Sequence, residues 1–324
     1  MTKSSHAEGP SARQEIESGI VFFRGRLMDI RDATVSIATH ALNYGTGCFE
    51  GIRAYWNAED GELYILKGHA HYERFLRSAK ILKIQVPYTV SELMDWTRAV
   101  LAANAFRQDV YIRPLAFKGA AAIKVALSGM RDEVGILATP MGDYVATDGL
   151  KATVSNWVRI ADNMIPSRAK VTGAYINAAL ASDDAAMDGY DEAIMLSEDG
   201  QVAEASSSNL FMVRDGTLVT SPVTADILEG VTRQAVFQLA RDLGWPLVER
   251  PIDRTELYVA DEVFLAGTGV QIAGVTEIDH RTIGSGKMGP ITAKLQEVYF
   301  QAVRGRDARY REWLTPVYGK EGHE

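Results

Sequence analysis

Cysteine is almost missing from this chain: Cys48 is the single one in 324 residues, which excludes an intrachain disulfide and a cysteine-rich metal centre. The six histidines are scattered. The nearest two, His69 and His71, would point to different faces of a helix, which disfavours a zinc site. No apolar run approaches the length needed to cross a bilayer. The polar stretch Met1 to Glu17 has no apolar core of the kind a secretion signal carries, so a cytoplasmic protein without a membrane partner is expected. Basic residues are also short: 34 against 42 acidic ones, for a net charge of −8. That balance argues against a nucleic-acid or anionic-membrane partner and leaves any functional cation to be local.

The remaining composition, 47% apolar and 23% charged, is ordinary for a globular protein, and the length suits two domains or one large one. The pattern divides into a flexible tail over 1–17, a small α+β domain over 18–139, a polar, periodicity-breaking linker over 140–149, and a larger domain over 150–324. Strands are expected at Ile20 to Phe23, Leu27 to Ile30, Ala33 to Ile37, Leu63 to Leu66, Asp109 to Phe117 and Val134 to Thr139. Helical periods run over Ala70 to Leu82, with Arg74 at the edge of the apolar face, and over Val90 to Ala105. Ala41 to Tyr55 holds three glycines in seven residues among aromatics. This reads either as a strand whose backbone lies against a ligand or another chain, or as a bulged, tightly packed strand.

The second half offers strands at Ala152 to Arg159, Glu192 to Leu196, Gln201 to Ala205, Leu210 to Val213, near Val248, Glu262 to Ala266 and Gln271 to Glu277. Asp199-Gly200 and Asp215-Gly216 are hairpin turn formers. Helices are expected over Val231 to Leu243, over Pro290 to Val303, and after Lys170 to about Met187, with Ile176, Ala179 and Leu180 on one apolar face.

Chemistry concentrates between Ser167 and Phe211. Lys170 is followed about thirty residues later by Glu204 in an apolar, strand-forming setting. An enzyme using pyridoxal phosphate needs that pair: an amine to form a Schiff base with the cofactor aldehyde, and a carboxylate to hold a proton on the pyridine nitrogen. Alone, a lysine is most often a solvated surface group. Gly230 stands before a helix whose free amides, with the Thr232 hydroxyl, would attract a dianion, although many such helix starts bind nothing. Gly267-Thr268-Gly269 ends an apolar strand and is either a second backbone nest or a simple turn.

The spacing Glu204-x-Ser206-x-x-Asn209-Leu210-Phe211, Leu218-x-Thr220 and Leu228-x-Gly230-Val231-x-Arg233 resembles the signature of the class IV aminotransferases, the fold-type IV pyridoxal phosphate enzymes, over about residues 20 to 305. The resemblance implies a two-domain α+β/α/β fold whose larger, cofactor-binding domain is a mixed pseudo-barrel. It implies Lys170 as the catalytic Schiff-base lysine, Glu204 on the pyridine nitrogen and Tyr175 on the cofactor phenolate oxygen. Arg74, with Gly230, Val231, Thr232, Gly267 and Thr268, would hold the phosphate.

Within that family, Tyr44-Gly45-Thr46-Gly47-x-Phe49-Glu50-Gly51-Ile52-Arg53 and Tyr111-Ile112-Arg113-Pro114 resemble the branched-chain group. They place Tyr44, Phe49, Gly51, Arg53, Tyr111, Arg113 and Tyr144 around the substrate, with the amides of Thr268 and Gly269 as further donors. The implied reaction is ping-pong transamination of Leu, Ile or Val with 2-oxoglutarate by a homodimer that shares its active site. An (R)-selective amine or D-amino acid transaminase on the same scaffold is the alternative enzyme. A non-catalytic cofactor carrier is the alternative outside catalysis, and it has no chemical need for Lys170 together with Glu204. The run Lys118-Gly119-Ala120-Ala121-Ala122-Ile123-Lys124 lacks the Arg-Gly of the D-amino acid and aminodeoxychorismate enzymes. It also departs from the branched-chain pattern at Lys124, which either faces solvent or enters the pocket mouth.

Overall fold

The computed structural model describes residues 18–120, 123–142 and 149–319. Tyr144, the tail over 1–17 and most of the expected linker lie outside the described residues. Two sheets organise the rest. The first is antiparallel, ordered Leu314–Pro316, Glu62–Leu66, Ile52–Asn57, Val110–Lys118, Asp132–Pro140, Ile20–Phe23 and Arg26–Asp29, with Gly47–Phe49 also paired to Val110–Lys118. The last strand among the described residues thus returns to the first sheet. Helices Gly68–Ile81 and Val90–Ala103 cover this sheet and bury Phe75, Leu93 and Leu101 with Phe22, Ile52 and Ile112. A capping box fixes the start of the second helix: the Thr89 side chain accepts from the Glu92 amide while Glu92 accepts from the Thr89 amide.

The second sheet is mixed, ordered Val202–Ala205, Glu192–Leu196, Leu150–Val154, Gln271–Ile278, Glu262–Gly267, Asn209–Arg214, Thr217–Thr220 and Leu247–Glu249. Helices Val231–Asp242 and Pro290–Val303 pack on it around Phe211 and Phe264, whose rings stack at 5.0 Å. Asp215 and Gly216, at φ of 50° and 73°, supply the two left-handed residues that a tight hairpin between Asn209–Arg214 and Thr217–Thr220 needs.

Four expectations are corrected. Ala33 to Ile37 is not a strand: Val35 and Ile37 are 46% and 87% exposed, and among the described residues no strand pairs with them. The glycine-rich stretch is not one strand either. It is the short helix His40–Tyr44, stopped by Gly45 at φ 67°, then Gly47–Phe49 and Ile52–Asn57. The strand from Ala152 stops at Val154. On helix Tyr175–Met187 the core face is Ala178, Ala181 and Ala185, while Ile176 and Leu180 are exposed. Small residues let this helix lie close to Ala193 and Met195, and close approach decides the face over hydrophobicity.

Candidate active site

The two sheets meet at Lys170. Cys48 bridges to Val171 and the Phe49 amide donates to the Lys170 carbonyl at 3.1 Å, so the lysine segment is pinned to the first sheet. The Lys170 amide donates to Ser78 Oγ. Its side-chain Nζ donates to the Tyr175 hydroxyl at 2.6 Å and stands 5.0 Å from the centre of the Phe49 ring. The cleft around it, about 720 Å³ of free space with its open mouth included, is lined by Arg74, Tyr175, Glu204, Gly230, Val231, Thr232, Gly267 and Thr268, the residues singled out by sequence for the cofactor.

Glu204 is nearly buried. Its Oε1 lies 2.9 Å from Arg159 Nε, and its Oε2 accepts from Asn209 Nδ2 at 3.0 Å and from the Leu228 amide at 3.2 Å. Burial pushes its pKa up, and the Arg159 charge with the Leu228 amide pulls it part of the way back. Asn209 Nδ2 also donates to the Leu228 carbonyl at 2.9 Å, tying Glu204 to the turn before helix Val231–Asp242. Gly230 caps that helix at an ordinary φ of −66°, so backbone freedom is not why it is glycine. A Cβ there would sit 2.0 Å from Asn209 Oδ1. With no side chain to cap it, the helix start keeps amides available to an anion.

Alternation along Val110–Lys118 sends Val110, Ile112, Pro114 and Ala116 to the core and Tyr111 and Arg113 to the other face. Register sets Arg53 opposite Tyr111. Arg113 Nη2 donates to the Tyr111 hydroxyl at 2.8 Å, and its guanidinium lies 4.3 Å from the Phe49 ring centre. Gly51 lets Tyr111 in: a Cβ would stand 2.4 Å from the tyrosine oxygen. Arg53 is almost wholly buried, donates through Nη2 to the Gly142 carbonyl, and leaves Nε and Nη1 unpartnered, as Arg113 leaves Nε. Buried donors of this kind suit carboxylates. Gly269 follows Thr268 in the turn that joins the strands Glu262–Gly267 and Gln271–Ile278. Tyr44 is half-exposed against His40 and does not line the Lys170 cleft. Lys124 is exposed, with its amine over Gly129.

These residues fit pyridoxal phosphate. An amine beside a phenol, a buried carboxylate, an arginine and an uncapped helix start share one cleft, and the buried Ser208 hydroxyl there has no partner. Sequence reasoning missed Arg159, Asn209, Ser78 and Glu50. Glu50 and Asn209 stood within the quoted motifs, and Glu50 is also a carboxylate inside an apolar strand pattern; Arg159 had no signal.

A family model described as amino-transferase class IV matches residues 47–278. A protein of Aquifex aeolicus (strain VF5), named a probable branched-chain-amino-acid aminotransferase, is 48% identical over 301 residues, 92% of this chain and 97% of that protein. The crystal structure of a branched-chain aminotransferase from Thermoproteus uzoniensis with norvaline is similar at TM-score 0.90 and 46% identity, covering 93% of this chain and all of that one. A branched-chain amino acid aminotransferase from Thermobaculum terrenum in its PLP form reaches TM-score 0.89 at 39% identity, covering 94% of this chain and 99% of that one.

Proposed function

The chain belongs to the class IV aminotransferases, with their fold-type IV architecture and pyridoxal 5'-phosphate as cofactor, and from that premise we propose that it transaminates branched-chain L-amino acids. Leucine, isoleucine or valine gives up its amino group, and 2-oxoglutarate receives it in the second half of a ping-pong cycle. The observation that carries this reading is Lys170 Nζ held 2.6 Å from the Tyr175 hydroxyl in a cleft that also contains buried Glu204.

Bound pyridoxal phosphate supplies an electron sink that lets an α-hydrogen leave as a proton. Lys170 Nζ would anchor the cofactor at rest, then take the proton from the substrate α-carbon and deliver it to the cofactor's C4′. Tyr175 orients that amine and holds the cofactor phenolate oxygen. Glu204, whose anionic form the Arg159 charge favours against burial, would hold a proton on the ring nitrogen. Arg74 with the amides and hydroxyls at Gly230, Val231, Thr232, Gly267 and Thr268 grips the phosphate.

Arg53, Tyr111 and Arg113, with the Thr268 and Gly269 amides, receive carboxylates. Phe49, Tyr44 and Tyr144 wall the aliphatic side chain, and Gly51 lets the Tyr111 hydroxyl in beside it. The working unit is a homodimer sharing its sites. Exposed Val35, Ile37, Leu42 and Tyr44, with Ile123 and Val125 from the following loop, support that reading because a second subunit would cover them. The location is cytoplasmic; among the described residues no helix is long and apolar enough to cross a membrane.

The test is a titration of the purified protein's visible cofactor band. L-leucine is expected to bleach it and 2-oxoglutarate to restore it. A band unmoved by L-leucine but bleached by D-alanine or (R)-1-phenylethylamine would overturn the substrate reading while keeping the cofactor.

A further inference from the structure

Arg74 carries five N–H groups in a fixed plane. Nε donates to Glu50 Oε1 at 2.7 Å and Nη2 to Oε2 at 2.8 Å, a side-on bidentate pair. Nη1 donates to the Glu229 carbonyl at 2.9 Å, the residue just before Gly230. Those bonds leave one hydrogen on each terminal nitrogen, beside the start of helix Val231–Asp242.

Glu50 is fully buried, and Arg74 is not its only donor. Oε2 also accepts from His71 Nδ1 at 2.8 Å and from the Gly51 amide at 3.3 Å. Burial lowers the His71 pKa, so the ring is neutral and donates from Nδ1. The cluster is therefore one carboxylate, one guanidinium and one neutral imidazole, assembled from the end of Gly47–Phe49 and two turns of helix Gly68–Ile81.

We propose that Glu50 is a positioning residue for the cofactor phosphate: it grips Arg74 side-on, and so fixes the two remaining N–H groups toward the Gly230 to Thr232 cradle. The inference rests on the reading of Arg74 as a phosphate ligand. Position and charge predict opposite signs here. A carboxylate this close repels a phosphate, so by charge alone its removal strengthens phosphate binding. Without Glu50, however, Arg74 becomes a buried cation free to turn toward other acceptors, and the preformed fork is lost.

The full-length chain, freed of cofactor, is titrated separately with pyridoxal 5'-phosphate and with pyridoxal, which lacks the phosphate. Glu50→Gln is expected to weaken pyridoxal phosphate about tenfold or more, the factor for a misplaced charge-assisted bond, and to leave pyridoxal unchanged. Combined with Arg74→Ala it should add no further loss, because Glu50 acts through that side chain.

If Arg74→Ala leaves the ratio of the two affinities unchanged, Arg74 is no phosphate ligand and the underlying reading fails. If Arg74→Ala collapses the ratio but Glu50→Gln tightens pyridoxal phosphate, leaves it alone, or weakens both ligands equally, the positioning role fails. Should Glu50→Gln not fold, Glu50→Asp decides: it keeps the charge and shortens the reach. Positioning then predicts a lower ratio, and charge alone predicts none.

Discussion

Arg159 Nε lies 2.9 Å from Glu204 Oε1, a pairing across 45 positions of sequence that sets the charge of the cleft's central carboxylate. Burial alone would favour the neutral acid, and Arg159 opposes it. Arg159→Gln removes that opposition. Glu204 then stays protonated to higher pH, so the acid limb of kcat/KM is expected to move toward alkaline pH. At neutral pH kcat should fall by a factor on the order of 10², as when one preorganised charge is removed from an active site. A pH–rate profile checks this, and an unmoved acid limb would show that Arg159 only packs against the strand end.

Lys170 and Tyr175 separate by magnitude. Lys170→Ala removes the amine at the cleft's centre, and turnover should drop by on the order of 10⁴ or more. Tyr175→Phe keeps the ring and loses the 2.6 Å contact to Nζ, for an expected loss of about tenfold. Single-turnover rates with L-leucine measure both. Near wild-type turnover by Lys170→Ala would refute the mechanism.

A stability prediction lies away from the site. Helix Pro290–Val303 begins at Gly289, which has no side chain to cap it, and buried Glu262 reaches in instead. Its carboxylate accepts from the Ile291 amide at 3.0 Å, the Thr292 amide at 2.8 Å and the Thr292 hydroxyl at 2.7 Å. Gly289 is required because a Cβ would meet Glu262. Glu262→Ala orphans these donors and should cost about 3 kcal/mol by urea unfolding. Cofactor affinity should be unchanged in the variant that remains folded.

Much of this was legible from local pattern. Helix Pro290–Val303 follows its apolar period, and the Asp215-Gly216 turn is specified by two residues able to take positive φ. Lys170, Glu204 and Gly230 were legible through spacing and resemblance. What escaped depends on partners distant in sequence. Val35 and Ile37 alternate as a strand should, yet a strand also needs a partner, and among the described residues no strand pairs with them. Helix Tyr175–Met187 turned its alanines inward because Ala193 and Met195 lie close beneath it, which its own composition does not encode. Arg159 carries no local mark at all, since its role exists only once the strand bearing Glu204 folds against it.

Glu192 gives a prediction whose sign follows from linkage. It is buried at the start of its strand, and Oε1 accepts from the Ala193 amide at 2.9 Å, the Ser206 amide at 3.3 Å and the Ser206 hydroxyl. Burial still outweighs those bonds, so its pKa is raised above the ordinary 4.5. The folded state thus binds this proton more tightly than the unfolded state does. Stability from this group is present below about 4.5 and is lost as pH rises through the folded value. Glu192→Gln keeps an accepting Oε1 and carries no charge at any pH. The variant should match the wild type in urea near pH 4 and exceed it near pH 8. Equal midpoints at both pH values would mean that Glu192 is ionised in the folded protein at no cost, its three donors having fully replaced water.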